Sequence, residues 1–312
     1  MKPAVSVIVA VWNVEATIAR AIDSALAQDF TDREIVVVND GSTDDTESIV
    51  RRYGDRITLI NREHGGIAPA RNTAVRASEG ELIAFLDGDD AWTPDKLSRT
   101  VPIFAADPAC VLVYSDATLI DRDGRPCGTY VPYSVAHAPS FDEMFTRYWP
   151  ILESMTVVRR SAYDAVGGFE ENPGAFRANG AGLFWMRLRE LGHFHYIPER
   201  LVLFQSNAYP EYIDKNDESR EIFLRQVRNH YGRAASRRLR RGMFREIRRE
   251  HVHHLGHAGL IAMREGRIAD ARRSFAAALR HDPANVKIAL RLARTFLPAR
   301  IANRLTGRSR LS

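Results

Sequence analysis

Apolar residues recur along this chain in two rhythms. Toward the N-terminus, short β-rich runs at Val5–Val11, Glu34–Val38, Arg56–Asn61 and Glu81–Leu86 alternate with stretches whose apolar positions fall at helical spacing. Ile18, Ile22, Ala25 and Leu26 make one such stripe, and Ile67–Ala77 another. This alternation predicts an α/β fold, a mainly parallel sheet flanked by helices. Asn13 is placed to cap the first helix, and Ser42 or Thr43 the second, with Gly41 permitting the tight turn before it. Further on, Val111–Ile120 reads as a strand entering the hairpin turn Asp121-Arg122-Asp123-Gly124. Ser140 and Glu143 form a capping-box pair, Met155–Arg159 a strand, and Ser161–Val166 a helix ended by Gly167-Gly168. Phe184–Leu191 is a further helix, followed by short strands at His195–Ile197 and Leu201–Phe204.

Near Asn216 the pattern changes to Arg-rich helix. The expected division is therefore an α/β domain over residues 1–215 and a basic α-helical extension over 216–312. Charge sharpens it: residues 1–219 hold 21 Lys+Arg and 33 Asp+Glu, a net −12, while residues 220–312 hold 23 and 6, a net +17. A module so basic suits anionic lipid headgroups. Nucleic acid suits it less, because Arg237-Arg238 and Arg240-Arg241 lack interleaved aromatics. Within the extension, Gly259, Ala271, Phe275, Ala278 and Pro283 stand at the offsets of a tetratricopeptide-like helix pair, with Leu255 replacing the usual Trp. One pair cannot bury its apolar face alone, so it is expected to pack on the α/β domain or on a second copy, which allows a homo-oligomer. His251, His253, His254 and His257 cluster there, but far in sequence from the acidic loops, and read as packing or exposed residues.

No run approaches the roughly 20 apolar residues of a membrane span. The run Val5–Val11 is too short for a secretory signal, and Cys110 and Cys127 lack metal-type spacing. These features point to a cytoplasmic protein, held peripherally at the inner face of the membrane by its basic tail.

Chemistry concentrates where strands end, the place at which open α/β sheets gather ligands. One strand runs into Asn39-Asp40-Gly41-Ser42-Thr43-Asp44-Asp45 and another into Asp87-Gly88-Asp89-Asp90. In the second loop, two carboxylates flank a residue without a side chain, leaving room for a hard cation and phosphate oxygens. Mn2+ or Mg2+ prefers that oxygen environment.

Val36-Val37-Val38-Asn39-Asp40-Gly41-Ser42-Thr43-Asp44-Asp45-Thr46, Ala70-Arg71-Asn72 and Phe85-Leu86-Asp87-Gly88-Asp89-Asp90 follow in order on successive strand-loop-helix units. With Val158-Arg159-Arg160-Ser161 and Val166-Gly167-Gly168-Phe169, they resemble the inverting, nucleotide-sugar-dependent family 2 glycosyltransferases of the GT-A (Rossmann-like) fold, from Val5 to about Phe204. The resemblance implies that Asp40 accepts a hydrogen bond from the base of the nucleotide, that Arg71 supports it, and that Trp12, where Tyr is usual, lies against it. It implies Asp87 near the ribose and the metal, and Asp89 as a direct metal ligand. The competing structural roles are a capped turn for Asp40, core packing for Trp12, and an Arg71–Glu63 pair.

Two departures limit the carry-over. The acidic pair that relatives place before a Trp-x-Arg-Leu helix reads Gly180-Ala181 here, although Trp185-Met186-Arg187-Leu188 is kept. The nearest substitute bases are Glu170 and Glu171. At Phe204-Gln205-Ser206-Asn207 the Tyr-Arg-x-His-like sequence of many relatives is absent. The leading expectation is a hexosyltransferase moving a sugar from a nucleotide-sugar, UDP-sugar favoured, to a glycan or lipid-linked acceptor of the cell envelope. The alternative is a catalytically impaired homologue that binds nucleotide-sugar as a scaffold or partner of another transferase. A nucleotidyltransferase is disfavoured because Val5–Asn13 lacks the glycines of a phosphate loop.

Overall fold

A computed structural model describes residues 2–130, 138–146, 151–171, 181–205, 217–264 and 266–296. Its sheet grows outward from β1 (Val5–Val11), which is buried along its whole length. β2 (Arg33–Asp40) and β4 (Leu82–Asp87) flank β1 in parallel, and β3 (Thr58–Arg62) extends the sheet beyond β2. The chain order reverses at β1, so the carboxyl ends of β1, β2 and β4 border the crevice where such sheets bind ligands. Register makes this concrete: Val11 lies opposite Asn39, and Ala10 opposite Asp87. Asp40 and Asp87 therefore emerge on either side of the end of β1.

Beyond β4 the sheet turns mixed. β5 (Ala91–Trp92) is a short edge strand, β6 (Cys110–Ile120) forms the expected hairpin with β7 (Pro126–Tyr130), and β8 (Thr156–Arg159) lies antiparallel between β4 and β6. β9 (His193–Gln205) runs parallel to β6 and antiparallel to β5. The order is β3-β2-β1-β4-β8-β6-β9-β5, with β7 off the path. Helices α1 (Ile18–Leu26), α2 (Thr46–Arg51), α3 (Ile67–Arg76), α4 (Lys96–Ala106), α5 (Arg160–Val166) and α6 (Gly182–Leu191) accompany the strands. Ile18, Ile22 and Ala25 are buried as their spacing predicts, and the Ser140–Glu143 pair makes its reciprocal bonds.

Three local expectations are corrected, and one helix is added. Asn13 does not cap α1. It adopts φ 52°, and its Oδ1 accepts from the Thr43 amide at 2.8 Å. Neither Ser42 nor Thr43 caps α2: Ser42 Oγ accepts from the Asn13 amide at 3.0 Å, and the helix starts at Thr46. The two short strands expected after α6 are one, because β9 pairs with β6 through register shifts around Ser115, Asp116 and Ala117 that let the ladder continue. Finally α4, for which no helix is expected, forms despite an internal Pro102, with Leu97, Thr100 and Phe104 buried on its inner face.

By contact the chain divides into two compact units, Met1–Leu239 and Arg240–Ser312. α7 (Asp217–Arg264) is helical apart from a break at Gly232, whose φ is 86°. In the second unit α8 (Ile268–His281) and α9 (Val286–Arg294) follow, and Phe275, Ala271 and Ala278 are completely buried with Val252, Ala262 and Ile288. A Cβ at Gly259 would stand 2.5 Å from the Phe275 ring, so the glycine is what permits this close approach. Among the described residues no helix is long and apolar enough to cross a membrane.

Phe275→Ala is expected to destabilise the second unit by about 3–5 kcal/mol, the usual cost of emptying a buried phenylalanine site. Hydrogen exchange should accelerate in α8 and α9 while β1 and β4 keep their protection. Unchanged exchange in α8 would show that Phe275 is not the centre of that core.

Candidate active site

The site begins with a clamp between two loops. Val14, Glu15 and Asn13 donate their amides to Thr46 Oγ1, Asp44 Oδ2 and Ser42 Oγ at 2.9, 3.1 and 3.0 Å, while Glu15 accepts from the Asp45 amide at 2.9 Å. The polar residues after β2 thus hold the loop that carries Trp12. Trp12 is 51% exposed and stacks on His64, with ring centroids 4.6 Å apart and 26° between planes.

His64 belongs to the loop leading into α3, and Asp40 holds that loop. The buried Asp40 carboxylate accepts from the Gly65 amide at 3.1 Å and the Gly66 amide at 2.7 Å, with His64 Nδ1 at 2.9 Å and Arg62 Nε at 3.4 Å. Asp40 is therefore spent largely on backbone, and its neighbours Trp12 and His64 present the exposed aromatic surface. Gly66 adopts φ 99° immediately before Ile67, so the same contacts set where α3 begins.

One turn into α3 stands Arg71. Its buried guanidinium is shared by two carboxylates, with Asp87 on one nitrogen and Glu153 on the other at 2.7 Å. Burial opposes the arginine's charge, but the two acids raise its pKa above the ordinary value. Glu63 is not its partner. Asn72, the next residue, donates to the Phe169 carbonyl at 2.9 Å and to Glu171 at 2.8 Å, and accepts from Tyr163 and from the Phe169 amide. A Cβ at Gly168 would meet Asn72 Oδ1 at 2.8 Å, which explains the Gly-Gly-Phe sequence. Glu171 is exposed, tethered by Asn72 and 3.5 Å from Arg76. Glu170 is exposed beside it.

Asp87 and Asp89 project from the end of β4 around Gly88, where a Cβ would collide with Val11 at 2.9 Å and Val14 at 3.0 Å. Thr17 holds the Gly88 carbonyl at 2.8 Å, and Arg20 reaches the Asp89 carbonyl and Gln205 Oε1, each at 2.7 Å. Burial, then the charge of Asp87, pushes the Asp89 carboxyl up to about 6. Asp90, fully buried and taking the Gln205 amide at 2.9 Å, is raised well above the usual carboxylate range by burial and by both neighbours. Gln205, at the position of the missing Arg-x-His-like sequence, thus braces the acidic loop.

The loop meets its support in the turn before β8. Ser154 Oγ accepts from the Asp87 amide at 3.0 Å, Trp92 Nε1 donates to the Ser154 carbonyl at 2.9 Å, and Lys96 Nζ donates to the Met155 carbonyl at 3.0 Å. Glu153, on that turn, has its carboxyl raised by burial, against the pull of Arg71. Sequence reading passed over Glu153, His64 and Lys96, and none carries a local motif.

Among the described residues no group of three His, Cys, Asp or Glu side chains surrounds a common point. Asp87 and Asp89 nonetheless fit a divalent cation. They are oxygen donors close enough that the charge of Asp87 adds to burial in hindering the ionisation of Asp89, and Mg2+ or Mn2+ commonly takes one or two protein carboxylates and completes its shell from water and phosphate. Gly180 and the side chains of His251, His253, His254 and His257 lie outside the described residues. Ala181 is buried at the start of α6.

Residues 6–165 match the pattern that defines Glycosyl transferase family 2. The chain belongs to that family. An uncharacterized glycosyltransferase of Rickettsia prowazekii (strain Madrid E) is 40% identical over 121 residues, 38% of each chain, so this chain overlaps well under half of that relative. Among solved structures, Staphylococcus aureus TarS 1–349 superposes with a TM-score of 0.61 at 19% identity over 99% of this chain and 93% of that one. A mannosyltransferase of Pyrobaculum calidifontis, solved with GDP-Man and Mn2+, superposes with a TM-score of 0.55 at 21% identity over 94% of this chain and 79% of that one. In family terms the fold is GT-A, and the family-matching segment contains Trp12, Asp40, Arg71, Asp87 and Asp89.

Lys96 yields a test of how the site's supporting turn is built. Its complete burial lowers the ammonium pKa from 10.5 to about 7. Between these values the unfolded chain holds a proton that the folded chain has released, so stability rises with pH across that window. Compared with Lys96→Met, the unaltered protein should gain up to about 1.4 kcal/mol per pH unit there. Denaturant unfolding at several pH values reads this directly; a difference independent of pH would mean that Lys96 is solvated.

Proposed function

We propose that this protein transfers a sugar from a nucleotide-sugar, UDP-sugar favoured, to a glycan or lipid-linked acceptor of the cell envelope, with inversion and metal assistance. The observation that carries the reading is the placement of the Trp12–His64 stack and the Asp87–Asp89 pair at the ends of adjacent strands, a planar aromatic surface beside a crowded oxygen-donor pair. TarS 1–349 has been solved with UDP-GlcNAc, which supports a nucleotide-sugar in this fold.

In this reading Trp12 lies against the base and Asp40 accepts from it while fixing the loop of His64. Arg71 supports the nucleotide side by keeping α3 and Asp87 in register. Asp87 faces the ribose, and Asp87 with Asp89 holds Mn2+ or Mg2+. The cation supplies neutralisation of the charge that develops on the leaving diphosphate. Glu171, tethered by Asn72 beside Arg71, or Glu170, takes the proton of the acceptor hydroxyl. The transferase domain is taken as residues 1–215. The extension over 216–312 brings the protein to an anionic membrane face. A buried Ala181 where relatives carry an acid favours a second reading, a nucleotide-sugar-binding homologue that partners another transferase.

Calorimetry with UDP is expected to show binding in Mn2+ that EDTA abolishes and Asp89→Ala weakens. Equal binding in both media would sink the metal assignment. In a donor screen over UDP-, dTDP- and GDP-sugars, Glu171→Gln or Glu170→Gln should cut transfer by about 10²-fold or more with UDP affinity unchanged, since a general base acts in the transition state. UDP binding without any turnover would favour the second reading.

A further inference from the structure

Helix α9 has two apolar faces, and among the described residues its own unit buries only one. Ile288 is buried in the core around Phe275, and Leu292 packs against it. On the opposite side Val286 is 69% and Leu290 62% exposed, with Ala289 and Ala293 exposed between and beyond them. Phe296, 64% exposed just past the helix, continues the row, one ring face resting on the Arg272 guanidinium at 4.1 Å. Spacings of three and four place these residues on a single stripe, where a solvated helix would carry polar side chains.

Charge decides what covers the stripe. Lys287, Arg291 and Arg294 follow one border of it, and residues 240–312 hold 17 Lys+Arg against 5 Asp+Glu. The segment after Phe296 adds Arg300, Arg304, Arg308 and Arg310 and no acid. A second copy would press this same excess of positive charge against itself. A soluble polyanion would meet the arginines and leave the apolar row wet. A bilayer with anionic headgroups satisfies both, taking apolar side chains at the acyl boundary and cations at the phosphates.

We infer that α9 docks in the interface of an anionic bilayer, with Val286, Leu290 and Phe296 inserted and Lys287 and Arg291 at the headgroups. This rests on the membrane-facing reading of the extension and adds which residues enter the lipid. It is independent of sugar transfer.

The test is cosedimentation of the full chain with vesicles of phosphatidylcholine alone or mixed equally with phosphatidylglycerol, at low and high salt. The unaltered chain should bind only the anionic vesicles and keep part of that binding in high salt. Val286→Gln with Leu290→Gln, exposed positions given good helix formers, should lower the partition coefficient by at least about tenfold and make the remainder wholly salt-sensitive. Lys287→Gln with Arg291→Gln should reduce the salt-sensitive part. If the apolar variant partitions like the unaltered chain, the inference fails and the basic-tail reading survives. If the unaltered chain ignores anionic vesicles, both fail. A dimer in sedimentation velocity that the apolar variant abolishes, with vesicle binding unchanged, would assign the stripe to a second copy instead.

Discussion

A buried guanidinium shared between two carboxylates organises this molecule's crevice. Taking Arg71 out of water is costly, and Asp87 and Glu153 offset that cost by each taking one of its terminal nitrogens. The arrangement holds only if three separate segments stay in place. α3 is held through Asp40 and the amides of Gly65 and Gly66, β4 through the sheet, and the Glu153 turn through Ser154, Trp92 and Lys96. The Trp92–Ser154 and Lys96–Met155 bonds among those supports are themselves buried, so loosening either leaves a buried polar group unpaired.

The same economy appears in the loop after β2. Its Ser, Thr and Asp side chains look like ligand-binding chemistry, yet Ser42, Asp44 and Thr46 are taken up by the amides of Asn13, Glu15 and Val14. Their work is to hold Trp12 at the rim. Motif residues therefore divide into those that build the crevice and those that face it, and only the second kind report directly on the ligand.

That division explains how much was legible beforehand. Strand runs, the Asp-Gly-Asp turn and the Gly-Gly stop follow from local rules, since periodicity and glycine geometry act within a few residues, and the structure bears them out. β9 read as two strands because its apolar pattern breaks at Pro198 and Glu199, the extra residues by which it bulges against β6 between the partners of Ser115 and Asp116. α4 was hidden because Pro102 interrupts a helical reading, and tertiary burial of Leu97 and Phe104 overrides it. Glu153 had no signal at all: its partner lies 82 positions away, and nothing near it in sequence announces a charge to be buried. The Asn13, Ser42 and Thr43 assignments failed for a related reason, since their hydrogen bonds cross between loops and not along a helix.

The family match covers residues 6–165. Trp12, Arg71, Asp87 and Glu153 all fall within it, at strand ends and on loops that the sheet and its supports brace. Glu170, Glu171 and Ala181 come after it, on segments tethered through Asn72 and the start of α6 and not by the sheet. The groups proposed to hold the nucleotide are therefore braced by more of the structure than those proposed to activate an acceptor. Ala181, at the start of α6, is buried and offers no polar side-chain group to Arg71 or Asp87. The two readings proposed above, active transferase and nucleotide-sugar-binding homologue, therefore differ at the few residues that the sheet does not brace.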